Sequence, residues 1–195
     1  MELKNIIEAS LFAANEPLSI VELQGVFLLE DRPDKHVVRE LIKEIQEDCL
    51  PRSIELVEVA SGYRFQVKSI YSSWVARLWE EKPVKYGRAL LETLAIIAYQ
   101  QPATRGEIED VRGVAVSTNI IRTLQEREWV RVIGHKEVPG RPALYATTKE
   151  FLDYFNLQTL ADLPPLATLL DIDLQPSTDV QLNLGDGTPT DKEVI

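Results

Sequence analysis

The chain of 195 residues has one cysteine and two histidines, and these small numbers exclude whole classes of site. A single thiol, Cys49, excludes an intramolecular disulfide and suits a reducing compartment. One cysteine and two histidines are too few for a Cys/His zinc cage, which needs four such ligands. The sequence therefore predicts no disulfide, no metal centre and no other cofactor.

Long apolar runs are also missing. A membrane-spanning helix needs about 20 consecutive apolar residues, but the most apolar segment, Leu90–Tyr99, is about half that length and is interrupted by Glu92. Glu2 and Glu8 interrupt what would be the apolar part of a secretory signal. We therefore predict a cytoplasmic protein without membrane association.

The motifs that carry common enzymatic chemistry do not occur. The sequence has no Gly-x-Ser-x-Gly elbow, phosphate-binding Gly-x-x-x-x-Gly-Lys loop, His-Glu-x-x-His pair or dinucleotide-binding glycine fingerprint. Glu107, Glu109 and Asp110 fall in the first turns of a predicted helix, where the helix dipole favours negative charge. We interpret these carboxylates as structural, and the chain as a protein that is not an enzyme.

Basic charge is scarce, since 21 Lys and Arg stand against 31 Asp and Glu, a net of −10. Residues 1–80 carry −5, residues 81–166 are neutral and residues 167–195 carry −5. A field of this sign repels phosphate backbones, so sequence-independent DNA binding is not expected. The last segment has no aromatic residue and is punctuated by Pro and Gly, which predicts a disordered acidic tail over 167–195.

An internal repeat organises the rest of the chain. Aligning Pro17 with Pro102, an offset of 85 residues, superimposes Ser19–Glu22 on Thr104–Glu107. Both segments are capping boxes, in which a hydroxyl and a carboxylate satisfy free amides at the start of a helix. Each copy therefore predicts a helix, a proline-containing turn and a second helix that begins at the cap.

Each copy continues with a third helix and a β-hairpin. Helical spacing of apolar residues predicts helices at Leu3–Ala14, Ser19–Leu29, Asp34–Leu50, Arg88–Tyr99, Thr104–Val111 and Ser117–Glu128. Alternation of apolar and polar residues predicts strands at Ile54–Val59, Tyr63–Val67, Trp129–His135 and Ala143–Thr147. Asp34 is the predicted cap of the third helix, and Ile70–Glu80 is predicted to be a connecting helix.

Three helices followed by a hairpin form a winged helix, a variant of helix-turn-helix. The predicted fold is thus mainly α with small β-hairpins (α+β), arranged as two tandem winged-helix domains and a disordered acidic tail. The first domain covers residues 1–80 with the connecting helix, residues 81–85 form a linker, and the second domain covers residues 86–166.

Winged helices often bind DNA, and the two copies suit that role differently. The helix Asp34–Leu50 has a net charge of −2, which disfavours a groove lined by phosphates. The outer residues of Ser117–Glu128, Arg122 among them, have the chemistry to read base edges. Polar residues on the outer face of any soluble helix look the same. A winged-helix transcriptional regulator that uses Ser117–Glu128 is the alternative function.

Three apolar side chains fall on helix faces that are otherwise polar. Phe12 shares a face with Glu8, and Ile96 and Tyr99 share one with Glu92. Either another part of the chain covers these side chains, or they are contacts to another protein.

Several motifs of the second copy resemble the segregation and condensation protein B family. They are Leu91-Glu-Thr-Leu-Ala-Ile-Ile-Ala-Tyr-Gln-Gln-Pro102, Thr104-Arg-Gly-Glu-Ile108, Val111-Arg-Gly-Val114, Val138-Pro-Gly-Arg-Pro142, Leu144-Tyr145, Thr147-Thr-Lys-Glu-Phe-Leu152 and Leu160-Ala-Asp-Leu-Pro-Pro-Leu166. The first copy matches more loosely, through Ile6–Ala14 and Pro17–Ser19.

The resemblance implies a bacterial protein with two winged-helix domains and no catalytic activity, cytoplasmic and associated with the nucleoid. It implies homodimers formed largely through the amino-terminal domains. It also implies binding to the kleisin, segregation and condensation protein A (ScpA), and through it to the SMC ATPase, in chromosome condensation and segregation. DNA is then reached only through the complex.

Under this hypothesis, six residues of the second domain are the expected kleisin contacts. Leu91, Ile96 and Tyr99 belong to its first helix, and Pro139, Arg141 and Tyr145 to its wing. Arg141 has the alternative role of holding the turn that Pro139 and Gly140 shape. Phe12 is the expected dimer contact.

Overall fold

The structure is a computed structural model that describes residues 2–78 and 86–165. Its helices are α1 (Leu3–Ala13), α2 (Ile20–Gly25), α3 (Lys35–Cys49), α4 (Ser72–Val75), α5 (Arg88–Gln100), α6 (Arg105–Arg112), α7 (Thr118–Glu126) and α8 (Lys149–Tyr154). Its strands are β1 (Ile54–Val59), β2 (Gly62–Val67), β3 (Ala103–Thr104), β4 (Val130–His135) and β5 (Ala143–Thr147). The predicted α+β class is confirmed, while the predicted linker 81–85 and tail 167–195 lie outside the described residues.

Three helices followed by an antiparallel hairpin occur twice. In the first repeat, α1, α2 and α3 precede β1 and β2, and Ile54 pairs with Val67 at the open end of the hairpin. In the second repeat, α5, α6 and α7 precede β4 and β5, and the short β3 adds a strand on the other side of β5. None of the helices in residues 2–78 and 86–165 has the length and apolar character to cross a lipid bilayer.

Each repeat surrounds its own hydrophobic core. The predicted stripe of α3, Val38, Ile42, Ile45 and Cys49, is buried in the first core, which confirms the helical spacing. Burial of each such aliphatic side chain is worth about 1.5–3 kcal/mol relative to leaving it exposed. Among the described residues, the two clusters of buried residues share no member, so each repeat has a separate source of stability.

Trp129 anchors α8 to the second repeat. Its ring lies 5.1 Å from that of Tyr86, 4.5 Å from that of Tyr154 and 5.5 Å from that of Phe155. Tilted and edge-to-face rings at these separations attract one another beyond the burial of their area. The C-terminal end of α8, which carries Tyr154, is therefore held firmly against the second core.

Both predicted capping boxes are confirmed. The Ser19 backbone N–H donates to Glu22 Oε2 at 2.8 Å, and the Glu22 N–H donates to Ser19 Oγ at 3.3 Å. The same pair of bonds joins Thr104 and Glu107, at 2.7 and 3.3 Å. Each box satisfies two amides that would otherwise lack a partner at the start of α2 and of α6.

The residue after each repeat's proline pairs with a tyrosine of the hairpin. Leu18 forms an antiparallel bridge with Tyr63 of β2, with both N–H···O distances at 2.9 Å. Ala103 of β3 pairs with Tyr145 of β5 in the same way. Because Leu18 and Ala103 are 85 positions apart, the structural correspondence extends the sequence repeat to its hairpins.

Several predicted elements differ from the structure. A continuous connecting helix was predicted over Ile70–Glu80, and over the described part, up to residue 78, this prediction is wrong. The segment instead has the one-turn helix α4 between two 3-10 turns, Ser69–Tyr71 and Ala76–Leu78. Ile70, Trp74 and Leu78 have helical spacing, but they are 71%, 64% and 76% exposed. A helix of this length obtains most of its stability from packing of its apolar face, and this one has none among the described residues.

Other differences concern helix ends and two missed elements. The second helix ends at Gly25 rather than Leu29, because glycine is a poor helix former. Asp34 occupies the N-cap position of α3, but its side chain accepts no capping hydrogen bond. The two-residue strand β3 and the helix α8 were not predicted, since both are too short to show a clear period.

We expect Gly62→Ala to destabilise the first repeat. Gly62 has a φ of +152°, and an added Cβ would lie 2.3 Å from the Leu18 carbonyl carbon. The backbone strain alone is worth about 1–3 kcal/mol, and the collision adds to it. Urea denaturation followed by circular dichroism measures the loss.

Gly25→Ala is the matched control, because a Cβ at this helical position meets nothing within 4 Å. It should leave the stability unchanged or raise it by about 0.5–1 kcal/mol. Equal stability of Gly62→Ala and the wild type would refute the close approach of the two backbones.

Candidate protein-binding surfaces

The outer side of α1 is an apolar surface, which we call the α1 face: Asn5, Ala9, Phe12 and Ala13. These four residues are exposed at helical spacing, and shallow depressions run along them. Phe12 is 75% exposed, so among the described residues the alternative that another part of the chain covers it does not apply. Its ring contacts Phe65 of β2 only at the edge, with the centroids 6.4 Å apart.

Salt bridges border the α1 face on one side, towards α3. Lys4 Nζ lies 2.7 Å from Asp48 Oδ2 of α3. Arg52 Nη1 lies 3.3 Å from Glu8 Oε1. An apolar strip with a charged rim has the arrangement of a protein–protein contact, whose centre is depleted of charge.

The outer side of α5 carries a second strip, which we call the α5 face: Leu91, Ala95 and Tyr99. Leu91 is 36% exposed, Ala95 is exposed and Tyr99 is half-buried. The Tyr99 hydroxyl donates a hydrogen bond to the Pro164 carbonyl oxygen at 2.5 Å. This bond holds the end of the described chain beside the C-terminal half of α5.

Ile96 does not belong to the α5 face. The sequence spacing places it with Glu92 on the polar side, but the side chain is half-buried and packs against the second core. Leu163, which follows α8, also packs against the second core. Of the two alternatives that the sequence left for Ile96, cover by another part of the chain is the one that applies.

The tip of the second hairpin, residues 136–142, is the third surface. Pro139 and Arg141 are exposed there, and Arg141 has a φ of +39°. The Arg141 backbone N–H donates to the Val138 carbonyl at 2.9 Å. Within the described part of the chain the structure gives its guanidinium no hydrogen bond or ion pair, so the backbone and not the side chain holds the turn.

Tyr145 lies apart from that tip. It is half-buried on β5 and packs against the second core. The far end of β5 is fixed to the region after α5, since the Thr147 N–H donates to Gln101 Oε1 at 2.7 Å. From Ala143, beside the tip, to Thr147, beside the end of α5, strand β5 rises by about 13 Å. Of the six expected kleisin contacts, Leu91 and Tyr99 thus lie on the α5 face and Pro139 and Arg141 at the tip, while Ile96 and Tyr145 pack against the second core.

Glu107 ties the second hairpin to the start of α6. Its Oε1 accepts from Lys136 Nζ at 2.6 Å, while its Oε2 accepts from the Thr104 N–H and hydroxyl. These bonds, with that from Lys136 the strongest, lower the pKa of Glu107 to about 2. A carboxylate with three hydrogen-bond donors holds structure together and is not available as a proton acceptor for chemistry.

Glu109 has a similar structural role. It accepts from the Val116 N–H at 2.9 Å and from Arg105 Nε at 3.0 Å, and both bonds lower its pKa. The Arg105 guanidinium also donates to the Val116 carbonyl and to Thr118. Across residues 2–78 and 86–165, no three His, Cys, Asp or Glu side chains are grouped to hold a metal ion.

The helix of the alternative DNA-binding function, α7, has some of its polar groups paired within the chain. Arg122 Nε donates to Glu126 Oε1 at 2.7 Å, in an exposed pair. Ser117 accepts from the Ile120 N–H at the helix start, and Thr118 accepts from Arg105 at 3.3 Å. Asn119 and Gln125 are exposed on the same helix.

Comparison with known proteins finds a matching family model and similar proteins. A family model described as Segregation and condensation complex subunit ScpB matches residues 5–166. The Segregation and condensation protein B homolog of Coxiella burnetii is 54% identical over 170 residues, which cover 87% of this chain and 81% of that protein. Segregation and condensation protein B of Syntrophotalea carbinolica is 44% identical over 174 residues, or 88% of this chain and 86% of that protein.

A solved structure is also similar in sequence. It is a crystal structure of a dimer of the ScpB N-terminal domain complexed with ScpA peptide, 30% identical to this chain. The match covers 40% of this chain and 93% of that one, with a TM-score of 0.35.

The Glu107 contacts predict a specific acid dependence. A pKa lowered from 4.5 to about 2 means that ionised Glu107 stabilises the fold above pH 4.5, and that this contribution is lost as the pH falls from 4.5 towards 2. Carboxyl carbon NMR should show Glu107 titrating near pH 2 and, in Lys136→Met, at a higher pH.

Lys149→Met, which removes an exposed lysine of α8, is the control and should leave the titration of Glu107 unchanged. Titration of Glu107 near pH 4.5 in the wild type would rule out the described contacts.

Proposed function

The chain belongs to the segregation and condensation protein B family, and we propose that it is a non-enzymatic subunit of the bacterial SMC–kleisin condensin complex. It dimerises and binds the kleisin, ScpA, and thereby supports chromosome condensation and segregation during cell division. The observation that carries the proposal is the family match over residues 5–166, which spans both repeats. The 54% identity over 87% of the chain supports it.

In this proposal each repeat is a winged-helix domain that binds polypeptide instead of DNA. Residues 1–80 form the dimerising domain, residues 86–166 form the second domain, and the acidic residues 167–195 form a disordered tail. The protein works in the cytoplasm, at the nucleoid, and meets DNA only through the complex. The net charge of −10 supports a protein ligand over a nucleic acid.

The α1 face is the proposed dimer contact. Phe12 supplies a large apolar side chain that its own repeat leaves uncovered, and Ala9 and Ala13 beside it allow close approach of a second helix. Aromatic anchors of this kind provide much of the affinity of protein interfaces.

The α5 face and the second hairpin tip are the proposed kleisin contacts. Leu91 and Tyr99 offer an apolar strip, and Arg141 offers an uncompensated positive charge to an acidic or backbone oxygen of the kleisin. Ile96 and Tyr145 support these surfaces from the core side and do not themselves face the partner.

Phe12→Glu should convert the dimer to a monomer. A charge placed at the centre of an apolar contact loses its hydration, so the expected mass in light scattering falls from twice 22.1 kDa to 22.1 kDa. Circular dichroism should be unchanged, because Phe12 lies outside the core. Leu29→Glu, also exposed but off α1, is the control and should remain a dimer. A dimeric Phe12→Glu variant would remove Phe12 from the interface.

Tyr99→Ala should weaken capture of the kleisin by at least tenfold, because it removes an aromatic anchor and the bond to Pro164. Tagged protein purified from cells, followed by mass spectrometry, measures how much ScpA and SMC accompany it, and titration with purified kleisin gives the affinity. Leu91→Asp should act in the same direction. Ile96→Asp is unsuitable, since a charge at this position disturbs the core.

Tyr99→Phe is the control for the ring, since it removes only the hydroxyl bond. It should retain most of the binding. Wild-type capture by both Tyr99→Ala and Leu91→Asp would exclude the α5 face, and recovery of specific DNA without SMC or kleisin would contradict the proposed function.

A further inference from the structure

The tip of the first hairpin lies against the C-terminal end of α8, although α8 follows the second repeat. The Ala60 N–H donates to the Leu157 carbonyl oxygen at 3.0 Å. The Ser61 N–H donates to Asp153 Oδ1 at 2.9 Å. Both amides are at the turn of the hairpin, where β1 and β2 offer them no ladder partner. Two backbone N–H donors of the first repeat therefore find their acceptors in the segment that follows the second repeat.

Arg64 of β2 completes this junction. Its Nη2 donates to the Asp153 carbonyl oxygen at 2.8 Å and to Asn156 Oδ1 at 2.6 Å. A guanidinium at this place meets the negative end of the α8 dipole, and the Asp153 carbonyl also accepts from the Asn156 N–H. Arg64 thus acts as a C-terminal cap supplied from a different repeat.

The end of α8 is shaped for this contact. Asn156 has a φ of +57°, the left-handed conformation in which asparagine commonly ends a helix. The Leu157 N–H donates back to the Leu152 carbonyl at 2.8 Å, and the Leu157 carbonyl accepts from the Ala60 N–H. The aromatic contacts of Tyr154 and Phe155 with Trp129 hold this end against the second core.

On the first repeat, the tip is equally constrained. Gly62 follows Ser61 directly, and its close approach to the Leu18 backbone admits no Cβ. Arg64 is half-buried, and this loss of hydration lowers its pKa while the Asp153 charge opposes the change. Two rigid ends therefore meet through four hydrogen bonds.

The hydrogen bonds across the junction join backbone groups, one guanidinium, one carboxylate and one amide. The hydrophobic clusters of the two repeats share no described residue, and Val59, buried just before the tip, belongs to neither. Interfaces between parts of one chain that lack a shared hydrophobic core commonly permit relative motion. These contacts fix an orientation without making it permanent.

We propose that the first hairpin tip is a latch that docks on the end of α8 and holds the two repeats in one orientation. Opening the latch lets the repeats reorient while each keeps its own core. The proposal goes beyond the proposed function, because it concerns the chain alone and needs no partner. A polypeptide that contacts both repeats then meets them already arranged, which lowers the entropy lost on binding.

Amide hydrogen exchange measured by NMR on the full-length chain tests the latch directly. The Ala60 and Ser61 amides report on it, because their bonds cross the junction. In the wild type both should exchange at least about tenfold more slowly than unprotected amides. Exchange at the unprotected rate in the wild type would overturn the proposal.

Asp153→Ala opens the latch from the side of the second repeat without touching the first core. It removes the acceptor of Ser61, so a latch that opens as one unit should also release Ala60, whose own acceptor is the unchanged Leu157 carbonyl. Both amides should then exchange at least tenfold faster, while Ile42 in the first core keeps its protection. Faster exchange at Ser61 alone would show separate contacts and refute the latch.

Asn156→Gly and Arg52→Met are the matched variants. Glycine keeps the left-handed backbone of position 156 and removes only one acceptor of Arg64, so the exchange of Ala60 and Ser61 should rise by a smaller factor than in Asp153→Ala. Arg52→Met removes an arginine of the first repeat that pairs with Glu8, away from the junction, and should change neither amide. Faster exchange of both amides in Arg52→Met would show general loosening of the first repeat and overturn the assignment.

Discussion

A backbone pairing after each proline joins the hairpin of each repeat to its helices, and side-chain contacts such as Lys136–Glu107 and Thr147–Gln101 add to it in the second repeat. A two-stranded hairpin is at best marginally stable alone in water. In the first repeat Leu18 pairs with Tyr63, and in the second Ala103 pairs with Tyr145. The next residue, Ser19 or Thr104, caps the following helix. The hairpin and the second helix are therefore positioned by two adjacent residues.

In each repeat, one side of the first helix has no covering layer among the described residues. The inner sides of α1 and α5 fill the cores, while the outer sides keep Phe12 in one case and Leu91 in the other. Apolar residues on both sides of a helix are typical of proteins whose second apolar side belongs to a partner. The family membership and the geometry thus favour the same use of these helices.

Patterns that depend on near neighbours in the chain could be predicted from the sequence. The stripe of α3, both capping boxes and the two hairpins follow from spacing over a few residues, and the structure confirms them. Spacing also placed Phe12 on the side of α1 away from the first core, although it left open whether another part of the chain covers that side.

Contacts between distant segments could not be predicted. Ile96 is half-buried against the second core, and spacing within α5 does not reveal that another part of the chain covers it. The missing connecting helix has the opposite cause: Ile70, Trp74 and Leu78 have the right spacing, but no described segment covers them. The pairing of Arg64 with the end of α8 joins residues 89 to 92 positions apart, and no local pattern signals it.

The turns of the two hairpins, which have corresponding positions in the two repeats, make different contacts. The turn of the first hairpin contacts the end of α8, whereas Pro139 and Arg141 at the turn of the second hairpin are exposed to solvent. A duplicated scaffold ordinarily offers two equivalent contact loops. In this repeated fold, one loop contacts the other repeat and the other loop is exposed. An external ligand therefore meets two different loops, although the two repeats have the same order of helices and strands.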